Sequence, residues 1–387
     1  MPNRRQFIKT LGAGTSLVAM TPRFGLANLA PAQERELPEP LRMFKPIRVM
    51  DSHFHLHARL DDPKYIQNIP AIMEACANDT ITILSSTATA KLNENMLAAL
   101  AKQKHPGRVY AFAGLHHHIP AMPSGTLDFA KQAERMIAFG FDGYKMIEGK
   151  NLYREQHGYP LDDPRYDGYF ALMQERGLPI SYHVADPWEG DTPPEEMASL
   201  YREVDGFLKK FPKLNVIFVH FFFMANVLDQ ASQFLDLWPQ VSFDLTPHGA
   251  MYDHFSRNPD KARDFFIKYQ DRIIYGTDNH SEPRDFAPGA PMEYWPAYKT
   301  IAMRRFLETD DEFKGWHRTL RGIKLDVPVL EKIYHKNYLR YVDKKPRPLD
   351  IGKIVEECER ILGLAHKYAI VHDILPEVEF FRKEIQS

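Results

Sequence analysis

Val49-Met50-Asp51-Ser52-His53-Phe54-His55-Leu56-His57 decides how the rest of this chain is read. Apolar residues run straight into three histidines spaced two apart. In a β-strand, residues i and i+2 point to the same side, about 6 to 7 Å apart along the backbone. His53 and His55 can therefore aim both imidazoles at one cation. Two nitrogens do not hold a metal firmly, and a surface strand that happens to alternate with histidine has the same pattern. The remaining ligands must come from elsewhere in the chain.

Outward from that stretch, short β-branched or aromatic runs alternate with longer runs of helical period, as a parallel sheet with crossover helices requires. The spacing predicts strands over 47–52, 80–86, 109–115, 142–147, 178–183, 215–220, 241–245 and 272–278. Helical patterns fall at 69–77, 91–104, 126–139, 165–176, 194–211, 224–237 and 259–270, the fifth opening on Pro193-Pro194-Glu195-Glu196, good first-turn chemistry. Eight strands and seven intervening helices spell a (β/α)8 TIM barrel, in which active sites sit at the C-terminal strand ends. His183 ends the fifth predicted strand, His220 the sixth and Asp278 the eighth. With His53 and His55 these make five candidate ligands around one mouth, against the plainer reading of core histidines that bind nothing.

A chain of 387 residues that is 44% hydrophobic and 12% aromatic can bury a core of barrel size. Its formal charge of −2 gives no case for nucleic acid. Neither a phosphate-binding GxxxxGK[ST] nor a dinucleotide GxGxxG occurs. Cys76 and Cys358 lie in helix-like apolar patterns and read as buried thiols, with a disulfide the other reading.

The chain starts Asn3-Arg4-Arg5-Gln6-Phe7-Ile8-Lys9, followed by a weakly apolar run from Leu11 to Met20. This resembles a twin-arginine export signal, with Gly25-Leu26-Ala27 as the small-x-small cleavage pattern. The run is shorter than the ~20 residues a membrane span needs, so no stable span is expected; a basic amphipathic tail is the alternative. Removal of Arg4, Arg5, Lys9 and Arg23 would leave a mildly acidic protein. The expected organisation is a signal over 1–27, a linker over 28–45, the barrel over 46–342 and a helical extension over 343–387. The export machinery is then one partner, and the protein is exported to the periplasm.

Residues 46–342 resemble the amidohydrolase superfamily of metal-dependent TIM barrels, in its amidohydrolase-related branch of mononuclear zinc decarboxylases and lactonases. The resemblance is carried by His53-x-His55, Gly143-Tyr144-Lys145-Met146, His183, His220 and Gly276-Thr277-Asp278, and by the runs 306–313 and 330–337. It implies one divalent ion, zinc first with manganese or iron as alternatives, held by His53, His55, His183 and Asp278 with a position open to water. It also implies an acid–base role for Asp278, and for His220 either a ligand role or a catalytic one, as a second acid–base group or in steadying a developing oxyanion. In two-metal members a lysine at the fourth strand is carboxylated and bridges the ions; in this branch Lys145 is expected at the substrate or in a structural ion pair.

His116, His117 and His118 follow the third strand, where His116 is a candidate substrate contact or a turn residue. His57, His248 and His280 are weaker candidates of the same kind. The segment 148–164 has no helical period and reads as a lid. Arg59 and Arg154 are candidates for a substrate carboxylate, because a guanidinium fork meets one bidentately; ordinary exposed arginines are the alternative. Beyond Asp278 come Pro283, Pro288 and Pro291, then helical patterns over 293–308 and 327–341. Over 348–385, Ile351, Ile354, Val355, Cys358 and Ile361 share a helical face. That face is expected to pack on the barrel, with Pro376, Phe380 and Phe381 as an oligomer contact.

Hydrolysis of a lactone, ester or amide carbonyl is the leading expectation for a small-molecule substrate. A non-oxidative decarboxylase of a small carboxylic acid uses the same ligands, and a metal-holding barrel without turnover is the non-enzymatic alternative.

Overall fold

The computed structural model of the chain describes residues 38–56, 64–86, 93–117, 128–187, 192–248, 250–281, 294–368 and 374–387. The export signal, most of the linker, His57, Arg59, His118 and the prolines at 283, 288 and 291 lie outside these residues.

Nine parallel stretches form one curled sheet: β1 (Met50–His55), β2 (Thr80–Leu84), β3 (Val109–Gly114), β4 (Gly143–Gly149), β5 (Ile180–Val184), β6 (Val216–Phe218), β7 (Val241–Asp244), β8 (Ile273–Ile274) and β9 (Asn279–His280). Nearly every residue in them is buried, because helices cover one side of a barrel sheet and side chains fill the other. The eighth barrel position is split. β8 pairs with β7 and β9 with β1, while residues 275–278 leave the ladder between them. Tyr275 accepts from the Ser52 N–H at 3.1 Å and Asp278 donates to the His53 carbonyl at 2.9 Å, so the two ends of the sheet meet along this one segment. The arrangement is consistent with the barrel expected.

The helices Ile69–Ala75, Asn93–Lys104, Phe129–Phe139, Asp167–Arg176, Pro194–Lys210, Leu228–Leu237 and Pro259–Lys268 alternate with the strands. Local chemistry sets their ends. Asp128 caps Phe129–Phe139 by accepting from the Lys131 N–H, and Gly140 ends it in a left-handed conformation, φ 98°. A Cβ on Gly140 would stand 2.1 Å from the Pro348 carbonyl, so glycine also admits the chain on its way to the extension. There the helices Ile351–Tyr368 and Ile374–Ile385 lie on 129–139 and 93–104 respectively. Ile354, Cys358, Val378 and Phe381 are buried in that contact, so Phe381 serves the barrel exterior and not an oligomer surface. Cys76 and Cys358 are both buried and are not joined in a disulfide.

The N-terminal end of the sheet is sealed by residues 338–342. Tyr338 OH meets Thr82 Oγ1 at 2.6 Å, Tyr341 OH meets Ser242 Oγ at 2.7 Å, and the Tyr110 hydroxyl donates to the Asp343 carbonyl at 2.7 Å. Function is left to the other end. No helix among the described residues is long and apolar enough to cross a membrane.

Three expectations change. Segment 148–164 contains a helix, Asn151–His157, ended by Gly158 at φ 70°; at two turns it is too short to show a period. The pattern over 327–341 is broken into Val327–Glu331, a π-turn Lys332–Lys336 and a 3-10 turn Tyr338–Arg340. A hairpin, β10 (Glu312–Gly315) and β11 (Arg318–Arg321), follows the helix Tyr294–Glu308. Its turn, Trp316-His317, has positive φ at both positions (47° and 61°) without the Asn-Gly that would signal it.

Candidate metal centre

β1 presents its histidines as the period of two requires, with His53 Nε2 and His55 Nε2 only 3.1 Å apart. The opposite ring nitrogens fix which tautomer each ring adopts. His53 Nδ1 is 2.8 Å from Asp244 Oδ2, and His55 Nδ1 is 3.0 Å from the Leu84 carbonyl. Both partners only accept, so each Nδ1 carries the proton and each Nε2 is left with a lone pair. Asp278 Oδ1 lies 3.2 Å from His55 Nε2 and 3.6 Å from His53 Nε2. Three acceptors thus converge within 4.8 Å of one another. Such a set repels itself unless a cation stands among the atoms. Two nitrogens bound tetrahedrally to one ion at about 2.0–2.1 Å stand about 3.3 Å apart. The donor set and its spacing fit a divalent metal.

Electrostatics favours the ligand forms. Burial, aided by Lys145, pushes His53 well below the ordinary histidine range, and burial with the neighbouring His220 does the same to His183. Burial would raise Asp278, but the neighbouring His53 and His55 and the Lys299 ammonium outweigh it and hold the carboxyl well below its usual range.

His183 and His220 form a second tier. Their rings are 4.7 Å apart, and His220 is 5.7 Å from the His53 ring. His183 is not within the converging trio, yet its Nε2 is buried without a hydrogen-bond partner among the described residues. His220 lies in an unusual backbone: His220, Phe221, Phe222 and Phe223 all have φ between 51° and 56°, one left-handed turn built without glycine. Its N–H donates to Asp244 Oδ1 at 2.8 Å, and its Nδ1 is 3.2 Å from the Thr246 carbonyl. That carbonyl takes the Nδ1 proton and leaves Nε2 as an acceptor, able to receive a proton but not to donate to an oxyanion. Burial pushes His220 down to about 3, so the ring is neutral at neutral pH.

A family model described as amidohydrolase matches residues 51–341. The chain belongs to the amidohydrolase family. No curated protein sequence matches it. Among solved structures, this amidohydrolase is similar to an uncharacterised TIM-barrel protein of Bordetella bronchiseptica (12% identity, 77% of this chain and 99% of that one, TM-score 0.51). It is also similar to a 4-oxalomesaconate hydratase of Rhodopseudomonas palustris (14%, 83% and 99%, TM-score 0.50). A third match is a 5-carboxyvanillate decarboxylase of Sphingomonas paucimobilis (12%, 76% and 99%, TM-score 0.45). At these identities the likeness to the first two shows the fold alone.

The other expected site residues divide. Lys145, on β4, is buried and its Nζ has no hydrogen-bond partner among the described residues. Burial lowers it to about 8 against the attraction of Asp244 and Asp278. Arg154 is drawn away from any substrate role. Its fork closes on Glu203 at 2.7 and 2.9 Å, which ties the helix Asn151–His157 to Pro194–Lys210. His116 turns Nε2 to Asn95 at 3.3 Å and donates its backbone N–H to Gln132 Oε1 at 3.0 Å, so it braces the third strand end. His248 meets Asp186 Oδ1 at 3.0 Å, and the Lys150 ammonium meets Asp186 Oδ2 at 3.1 Å. His280 stacks beside His55, ring centres 5.4 Å apart.

Four residues of this amidohydrolase were not singled out in the sequence. Asp244 holds His53 with one oxygen and the His220 and Thr246 N–H groups with the other. Asp51 accepts from the N–H groups of His53 and Thr277, from Thr277 Oγ1 and from Asn78, joining β1 to the Asp278 segment. Thr246 Oγ1 is 2.9 Å from His53 Nδ1. Lys299 donates to the Asp278 carbonyl. A carboxylate at the end of the seventh strand was the one available signal, and it points to Asp244.

Proposed function

We propose that this chain is a metal-dependent hydrolase that adds water to a lactone, ester or amide carbonyl. The observation that carries the reading is the convergence of His53 Nε2, His55 Nε2 and Asp278 Oδ1, three acceptors with no proton of their own. These three residues would hold the ion, with His183 Nε2, which makes no hydrogen bond among the described residues, as the fourth ligand. A divalent metal, zinc first and manganese or iron as alternatives, supplies Lewis acidity and a water that ionises near neutral pH. Around it the protein's own groups manage protons and charge. His220 Nε2, which carries a lone pair, or the second oxygen of Asp278 would take the proton from the attacking water and hand that same proton to the leaving group. The Lys145 ammonium pairs with an anionic group of the substrate. Asp244 and the Leu84 carbonyl keep the two imidazoles of β1 in the ligand tautomer throughout.

Lys145 also favours a second reading, a non-oxidative decarboxylase, because a substrate carboxylate would satisfy its buried ammonium. The signal-like segment 1–27 would send either enzyme to the periplasm through the twin-arginine machinery.

Metal content of the full chain and of His53→Ala, measured by mass spectrometry beside turnover of lactones, esters, amides and aromatic acids, tests this. Wild type should carry close to one equivalent. His53→Ala should lose it, with kcat/KM down by about 10³-fold or more. The substrate class that turns over separates hydrolase from decarboxylase; one equivalent of metal with no turnover of any class would support the metal-holding barrel. Protein grown with ample metal that binds none would overturn the proposal.

A further inference from the structure

The Asp278 side chain reaches the two imidazoles only because its backbone is left-handed, φ 53°. A non-glycine residue does not stay there unaided. On its N-terminal side the conformation is held by β1: the Asp278 N–H donates to the His53 carbonyl at 2.9 Å, and Asp51 grips Thr277 through both its N–H and its hydroxyl. On its C-terminal side the carbonyl of Asp278 falls outside the strand ladder. Its partner is Lys299, from the helix Tyr294–Glu308, whose Nζ donates to it. Lys299 is only 7% exposed, an uncommon state for a lysine and one that needs a bonding reason.

We propose that Lys299 is a positioning residue for Asp278: its buried ammonium clamps the carbonyl and so locks the left-handed turn that aims Oδ1 at His53 and His55. Because this assignment rests on the metal reading above, it concerns metal affinity first and turnover only through it. Without the clamp, the peptide after Asp278 is held only by Thr277 Oγ1 and the two-residue pairing of β9 with β1, and it can relax toward ordinary right-handed values. The carboxylate then swings off the line to the two Nε2 atoms. The effect of the ammonium's charge has the opposite sign, since a nearby cation disfavours a divalent ion. The two contributions can therefore be told apart by direction.

The test is Co²⁺ affinity of the full chain, by competition with a chromophoric chelator, together with the visible spectrum of the bound Co²⁺, which reports ligand geometry. Lys299→Met keeps the length and removes donor and charge; Lys299→Arg restores both. Lys102→Met is the control, a second buried lysine that donates to a carbonyl, that of Gly140, and pairs with Asp142 at 2.5 Å at the start of β4, the end away from the site. The expected result is affinity 10- to 100-fold weaker in Lys299→Met, the scale of losing a group that orients a ligand, with an altered Co²⁺ spectrum. Lys299→Arg should recover most of the affinity, and Lys102→Met should bind as wild type whatever its melting temperature. Should Lys299→Met not fold, Lys299→Gln, whose amide falls one atom short, takes its place with a loss in the same direction. Unchanged or tighter binding in Lys299→Met, or an equal loss in Lys102→Met, would overturn the clamp while leaving the metal reading intact. Absence of Co²⁺ binding in wild type would remove both.

Discussion

Two of the histidine-bearing segments, β1 and the turn after β6, aim imidazoles at the same place by opposite means. β1 is regular extended chain, and its two rings converge because side chains of a strand alternate. The turn His220–Phe223 is left-handed at four successive residues, at a cost of about 1–2 kcal/mol each. Burial of three phenylalanines, at about 1.5–3 kcal/mol each, is enough to offset it. Phe221 lies among Phe243, Phe255 and Phe265, and Phe222 is stacked on Phe218 at 4.2 Å, while His220 and Phe223 face the site. An imidazole on a strand is thus set by local geometry, and one on such a turn by the packing of the whole helix layer. Asp244 joins the two, with one oxygen on each.

That contrast can be broken at several places. Phe221→Ala should have the largest effect, a loss of about 3–5 kcal/mol in urea unfolding, because it removes the burial that holds the turn and leaves a cavity. If the variant lost less than about 1 kcal/mol, the turn would not depend on its aromatic anchor. Asp244→Asn comes next. It keeps the shape but lets His53 take the wrong tautomer, and metal affinity by chelator competition should fall about 10- to 100-fold, or about 1.4–2.7 kcal/mol. Wild-type affinity in that variant would mean that β1 alone orients His53. The smallest effect sharpens the comparison from outside. His317 is also left-handed, at φ 61°, but it is exposed, with no burial to offset the strain. His317→Gly should raise stability by about 0.5–1 kcal/mol and leave metal content as it was.

The same contrast explains what could be read from the chain. The period of two in His53-Phe54-His55 and the runs ending in His183, His220 and Asp278 are local signals, and the strand order follows from their alternation with helices. Asp244, Asp51 and Lys299 act across more than 20 residues of sequence, on partners that only the closed sheet brings near, so no spacing announces them. Arg154 shows the converse error. A guanidinium in an aperiodic segment resembles a substrate anchor until the fold supplies Glu203, which lies 49 residues later in the chain. The left-handed turns are hidden for a further reason: His-Phe-Phe-Phe and Trp-His contain none of the glycines or asparagines that normally mark such backbone.

The split eighth strand gives the protein a sense of time. Residues 273–280 are the last of the sheet to leave the ribosome, and they bring the pairing to β7, the pairing to β1 and the Asp278 carboxylate together. A nascent chain that stops short of them has two imidazoles on an open edge and no third acceptor. Closing the sheet and completing the converging trio are therefore one event.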